Sequence, residues 1–127
     1  MSFECVVPIL RVRSLAASID HYVSVLGFRV DWQHEQVMAS VSRERCSLML
    51  CEGDQGHAGT WVWMGVSDAE ALFREYAAKG ARIPLPPTNY PWAYEIHVQD
   101  PDGHVLRFGS EPKTDRPFSD WVFWYRG

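Results

Sequence analysis

One stretch of this chain occurs twice, and that repetition narrows the choice of fold more than any other feature. Val12, Ile19 and Tyr22 recur as Val66, Phe73 and Tyr76 at one constant spacing, with Gly27 and Gly80 one residue short of it. In each copy a strand leads into an amphipathic helix and then into further strands. Such a unit leaves one face of its sheet bare, so the two copies must pair, within the chain or across a dimer. The length, 127 residues, suits one domain holding both.

In order along the chain, residues 5–12 read as a strand that Pro8 confines to an edge or a bulge. Ser14 caps a helix whose Leu15, Ile19, Tyr22, Val23 and Leu26 share one face, and Gly27 stops it. Residues 28–33 alternate Phe28, Val30 and Trp32 with polar side chains, the pattern of a half-buried strand. Val37, Ala39 and Val41 predict a third strand and residues 47–51 a fourth, after a turn at residues 42–44. Residues 52–59 form a linker. Residues 60–66 then begin the second unit as a strand, and Ser67-Asp68-Ala69-Glu70 reads as a capping box with Ser67 as the cap. Ala69, Leu72, Phe73, Tyr76 and Ala77 make the helix's inner face, and Gly80 ends it. Residues 82–85 predict a short strand; Pro84, Pro86 and Pro87 then draw out an extended loop towards Trp92. In residues 94–108 two alternating runs, 96–99 and 104–108, flank Asp100-Pro101-Asp102-Gly103, which predicts a hairpin with a four-residue loop.

A net charge of −4 without a basic run argues against nucleic acid as partner, including for a ferredoxin-like binder with the same αβ alternation. No window approaches the roughly 18 apolar residues of a membrane span, and the first residues lack a secretion signal. Cys5, Cys46 and Cys51 lack metal-type spacing, so a reduced, cytoplasmic protein is expected. No nucleophile elbow, phosphate loop or nucleotide fingerprint is present, and Asp100 and Asp102 read as turn residues. His21 falls on the first helix, His34 in a turn and His57 in the linker. His97, His104 and Glu95 are the one histidine-containing set with a conceivable metal role, weighed against the commoner hydrogen-bonded histidine.

The repeated unit, the helix ending Tyr22-Val23-Ser24-Val25-Leu26-Gly27-Phe28 and the late Asp100-Pro101-Asp102-Gly103 hairpin together resemble the vicinal oxygen chelate superfamily. That group includes glyoxalase I, extradiol dioxygenases and bleomycin resistance proteins. Thr60-Trp61-Val62-Trp63 and Tyr90-Pro91-Trp92-Ala93-Tyr94-Glu95 look most like the bleomycin resistance proteins. The resemblance implies an α+β fold in which two βαβββ units form a cupped, eight-stranded mixed sheet with helices on the convex side. It implies a single domain over residues 1–112, with units at about 4–52 and 59–110 and a tail at 113–127. In that tail Trp121, Phe123, Trp124 and Tyr125 crowd together. Their expected role is packing on this subunit or its partner, with ligand contact as the other reading.

Metal-using members carry His, Gln or Glu at four positions that fall here on Val7, on Leu48 or Met49, on Trp61 and on Arg107. None suits a hard or borderline divalent ion, and the guanidinium repels one. Alternation puts Trp61 and Trp63 on one face and Val62, Met64 and Val66 on the other. The indoles are either plain core or the floor of a ligand cleft, with Trp32, Trp92 and Tyr94 within reach of its rim. Stacking on such faces is worth about 0.5–2 kcal/mol per contact. Arg107 is either an anion hook in the cleft or half of an ion pair with Glu95, which could otherwise face a cationic ligand.

The expectation is therefore a homodimeric, metal-free, cofactor-free protein that sequesters an aromatic or cationic compound without turnover. The expected ligand-binding residues are Trp61, Trp63, Trp32, Trp92, Tyr94, Glu95, Arg107, Val7 and Met49. The alternative is a metal-dependent lyase, isomerase or dioxygenase of the glyoxalase type with displaced ligands.

Overall fold

The computed structural model describes residues 1–121. Its eight strands fall into two four-stranded mixed sheets with one helical segment each, so the two βαβββ units are observed. Residues 1–60 together with 101–104 form one compact unit, and residues 61–100 with 105–121 belong to the other.

In the first unit β1 (Ile9–Arg11) pairs in parallel with β4 (Cys46–Cys51), which continues antiparallel to β3 (Met38–Arg43) and then to β2 (Arg29–His34). The first strand is shorter than the expected 5–12, and Pro8 precedes it, contributing its carbonyl to Met49 N–H at 2.9 Å. Ser14 caps α1 (Leu15–Asp20) by accepting from Ala17 N–H, and the Glu52 carboxylate accepts from Leu15 N–H at 2.7 Å. The chain then widens into a π turn over His21–Val25, where Leu26 N–H reaches back to the His21 carbonyl. This turn explains the spacing of the repeat. The caps Ser14 and Asp68 keep the constant offset, while Gly27 and Gly80, both at positive φ (76° and 77°), are one residue short of it. The extra residue of the first helix is absorbed by the wider turn. Leu15, Ser18, Tyr22 and Leu26 are consequently the buried set, and Val23, expected on that face, is exposed.

Leu10, Ala39, Val41, Leu48 and Leu50 fill the sheet face under this helix. The strand expected at 28–33 is present as β2, but it is not half-buried: Phe28 is buried, while every residue of β2 is exposed, Trp32 at 44%. Being an edge strand with a bulge between Val30 and Trp32, it gains no cover from a neighbour on its outer side.

In the second unit β5 (Trp61–Gly65) pairs in parallel with β8 (Val105–Ser110), which is antiparallel to β7 (Tyr94–Gln99), itself antiparallel to β6 (Arg82–Asn89). The helix α2 (Ala69–Ala78) is capped by Asp68, whose carboxylate accepts from Ala71 N–H at 3.0 Å, and not by Ser67 as the capping-box reading has it. Both residues are acceptable caps, and the helix starts one residue later than that motif implies. Ala77, assigned to the inner face, is exposed. Tyr76 of α2 packs edge-on against Phe108 of β8. The strand after α2 is also longer than expected. The prolines stay inside β6, which tolerates them because it is an edge strand with two register shifts.

The hairpin is present with one change. Gln99 pairs with Val105, so the loop has five residues, 100–104, and His104 belongs to it and not to the strand. Gly103 takes φ 80° in that loop. His104 is fully buried in the first unit, accepting from Thr60 N–H through Nδ1 (2.9 Å) and donating from Nε2 to the Arg11 carbonyl (2.6 Å). Asp102 accepts from the backbone and Nε of Arg13.

Candidate functional site

The register of the second sheet sorts its side chains into two faces. Val62, Met64, Ile96, Val98, Leu106 and Phe108 lie on the α2 side. Trp61, Trp63, Glu95, His97, Arg107 and Gly109 lie on the other, away from α2. Trp61 and Trp63 are 45% and 49% exposed, and Trp92, in the turn between β6 and β7, is 51% exposed. Plain burial in a core does not describe these three indoles.

Trp63 owes its position to two glycines. Gly65 and Gly109 are register partners on β5 and β8, and a methyl group on either would meet the indole. At Gly109 it would overlap Cζ2, approach Cη2 to 2.9 Å and lie 3.2 Å from Cβ of Ala93. The ring therefore lies close over the bare backbone of Gly109, as an isolated glycine in a strand signals. Trp61 meets His97 edge-on, with ring centroids 5.8 Å apart.

Beneath the indoles, Glu95 is completely buried and its carboxylate is shared by three side chains. Arg107 grips it with Nε and Nη2, each at 3.0 Å, in the bidentate geometry a guanidinium favours. Trp92 donates its indole N–H to Oε2 at 2.6 Å, and His97 Nε2 lies 3.2 Å from Oε1. Burial pushes the carboxyl pKa up, but the hydrogen bonds from His97, Arg107 and Trp92 and the Arg107 charge outweigh it, holding the pKa down at about 2. The ion-pair reading of Arg107 thus accounts for its geometry, and Glu95 is committed inside the protein.

Trp92 is braced by two rings that also meet each other, Tyr90 and Trp121 lying 5.9 Å apart. It stacks on Tyr90 at 4.6 Å with planes 9° apart, and Trp121 leans against it at 5.6 Å. The Arg107 guanidinium sits 5.8 Å from the Trp121 ring centroid, within cation–π range. Trp121 is brought there by Asn89, a buried side chain that donates to the carbonyls of Lys113, Arg116 and Pro117 and accepts from Lys113 N–H. The Asn89 carbonyl accepts from Ser119 N–H as well. Nothing in the sequence pattern marks Asn89 or Trp121 as neighbours of the site, since the tail reads as packing. Phe123, Trp124 and Tyr125 lie outside the described residues.

A cavity of about 380 Å³ opens at the end of this face, lined by Trp63, Trp92, Ala93, Gly109, Ser67 and Glu111 among others. Its volume falls in the range of small-molecule pockets.

Tyr94, expected at the rim beside Trp92, is a correction. Adjacent strand residues point to opposite faces, and Tyr94 pairs with Ser110 on the α2 side, under Lys113 and Arg116. Burial, followed by the charge of Glu70, raises its pKa. Trp32, Val7 and Met49 belong to the first unit. Met49 is half-buried on the face away from α1, whereas Leu48 is buried on the α1 side, so Met49 is the one that shares a face with Ser40 and Trp32. Val7 precedes β1 and is half-buried. On that first-unit face Asp31 accepts from Ser42 (2.7 Å) and Ser40 (3.0 Å), and the hydrogen bond from Ser42 above all lowers its pKa. The sequence reading did not single out this trio.

A divalent ion does not fit the donor set. Val7 and Trp61 offer no lone pair, Met49 only a thioether, and Arg107 is a cation clasped to Glu95. Among the described residues no three His, Cys, Asp or Glu side chains are grouped to hold a metal. His97 and His104 have separate partners, Glu95 for one and Thr60 with Arg11 for the other.

Residues 4–108 match the family described as the Glyoxalase/Bleomycin resistance protein/Dioxygenase superfamily. Among solved structures, the bleomycin-binding protein of bleomycin-producing Streptomyces verticillus, complexed with copper(II)-bleomycin, is similar at 25% identity. The match covers 89% of this chain and 99% of that one, with a TM-score of 0.75. TnmS3, an antibiotic binding protein from Streptomyces sp. CB03234, shares the fold at 21% identity over 89% and 99% of the two chains, TM-score 0.77. TioX from Micromonospora sp. ML1 shares it at 24% identity over 86% and 99%, TM-score 0.74. No curated protein matches the chain.

Proposed function

The chain belongs to the Glyoxalase/Bleomycin resistance protein/Dioxygenase superfamily, and from that premise we propose that it sequesters an aromatic or cationic small molecule without transforming it. The observation that carries this reading is the half-exposed indole face of the second sheet. Trp61, Trp63 and Trp92 stand over a polar network that satisfies itself through Glu95, Arg107 and His97. Rigid aromatic surface that is neither buried nor hydrated at low cost suits stacking on a planar guest. A carboxylate held by two guanidinium nitrogens, an indole N–H and an imidazole is poorly placed to act as an acid or base, which favours binding over turnover.

The same reading makes the protein metal-free, because the residues that the resemblance puts at the superfamily's ligand positions are Val7, Leu48 or Met49, Trp61 and Arg107. It also makes it a cytoplasmic homodimer. The exposed apolar side chains, Trp32 on the first sheet and the three indoles of the second unit, support a partner surface. No helix is long and apolar enough to cross a membrane among the described residues.

Trp61→Ala tests the assignment. It should weaken binding of a stacking guest at least about tenfold, the scale of one lost aromatic contact, while hardly changing the melting temperature. A large loss of stability with unchanged binding returns Trp61 to a structural role. Elemental analysis of protein purified without chelator separates the enzyme alternative, which requires about one divalent ion per chain.

A further inference from the structure

The cavity between Trp63 and Trp92 has one charged residue among its lining side chains, Glu111. We propose that Glu111 makes this cavity selective for a planar organic cation, an inference that rests on the sequestering role above and assigns its ligand class. Glu111 lies beyond the part of the chain that matches the superfamily, so the segment following β8 adds it to the site.

Four observations meet here. Trp63 and Trp92 both line the cavity and are half exposed, and the negative quadrupole of an indole face attracts a cation. Their positions are fixed: Trp63 lies over Gly65 and Gly109, and Trp92 is stacked on Tyr90, tied to Glu95 and supported by Trp121. The cavity, about 380 Å³, has the volume of a small-molecule pocket, and Ala93 adds only a methyl group to its lining. Finally, the charges are sorted. Glu95 is neutralised by Arg107, and Lys113 lies over Tyr94 on the opposite face of the sheet, 5.1 Å from its ring. Glu111 is exposed, and among the described residues no ion pair or side-chain hydrogen bond occupies it. Ser67 adds a hydroxyl at the same rim. An anion entering this cavity would meet two indoles and a carboxylate; a planar cation gains from all three.

Acridine dyes test the charge at constant shape. At mildly alkaline pH 9-aminoacridine is a cation and acridine is not, and tryptophan quenching reports the binding of either. The cation is expected to bind about tenfold more tightly than the neutral ring, from cation–π attraction and one exposed charge pair together. Glu111→Gln should cost the cation about three- to tenfold and leave acridine unchanged. Equal affinities in the wild type, or an equal loss for both dyes in the variant, overturns the assignment of ligand class while leaving a stacking site intact. Trp63→Ala should abolish binding of both. If both dyes still bind normally to it, the site itself, and with it the sequestering role, is misplaced.

Discussion

Replacing Glu95 by glutamine removes a charge that the fold has enclosed, and its cost follows from the surroundings. The carboxyl pKa is about 2 in the folded protein against an ordinary 4.5. That depression corresponds to about 3 kcal/mol of stability at neutral pH. Glutamine keeps the shape but leaves the Arg107 guanidinium facing an amide, so the loss should reach about 3–5 kcal/mol. The sign with pH is fixed. A depressed acid contributes fully above its unfolded-state pKa and loses that contribution as pH falls from 4.5 towards 2. Between neutral pH and about pH 3 the wild type should therefore lose about 2 kcal/mol that the variant does not have to lose. Urea unfolding followed by far-UV circular dichroism measures both proteins at both pH values. Asp31 and Asp68, also depressed, cancel in the difference because both proteins carry them. A stability gap that stays constant on acidification would refute the idea that Glu95 is the charged, hydrogen-bonded centre of this face.

Two further substitutions probe the supports of the site. Asp68→Ala should cost about 1 kcal/mol by uncapping α2, whereas Ser67→Ala should stay within about 0.5 kcal/mol; chemical denaturation that reversed this order would restore the capping box. Gly109→Ala should cost about 1–3 kcal/mol by crowding Trp63 and should shift tryptophan emission, and an unchanged spectrum and stability would mean the indole is not seated on that glycine.

Much of the fold could be read from pattern because its signals are local. The repeat, the Ser14 cap, the glycines that end both helices and the hairpin turn each depend on a few neighbouring residues. What escaped depends on residues far apart in sequence or on register. The exposure of β2 follows from its edge position, which no alternation reveals. Tyr94 and Glu95 are adjacent in sequence, but they face opposite ways, and only the pairing with Ser110 and Gly109 says which way each points. Trp61, Trp63 and Trp92 were legible as an aromatic set from strand alternation. Trp121 was not, because its place depends on Asn89 capturing the backbone of residues 113–119.

The π turn in the first helix has a bearing on how the two halves differ. A residue added to an ordinary helix rotates everything after it by about 100° and would throw Leu26 off the buried side. Here the surplus is taken up within His21–Val25, and the chain re-enters its sheet at Phe28 in step with the other half. A difference in length is thus confined to one turn of a covering helix, and each sheet carries its own surface chemistry on the same framework.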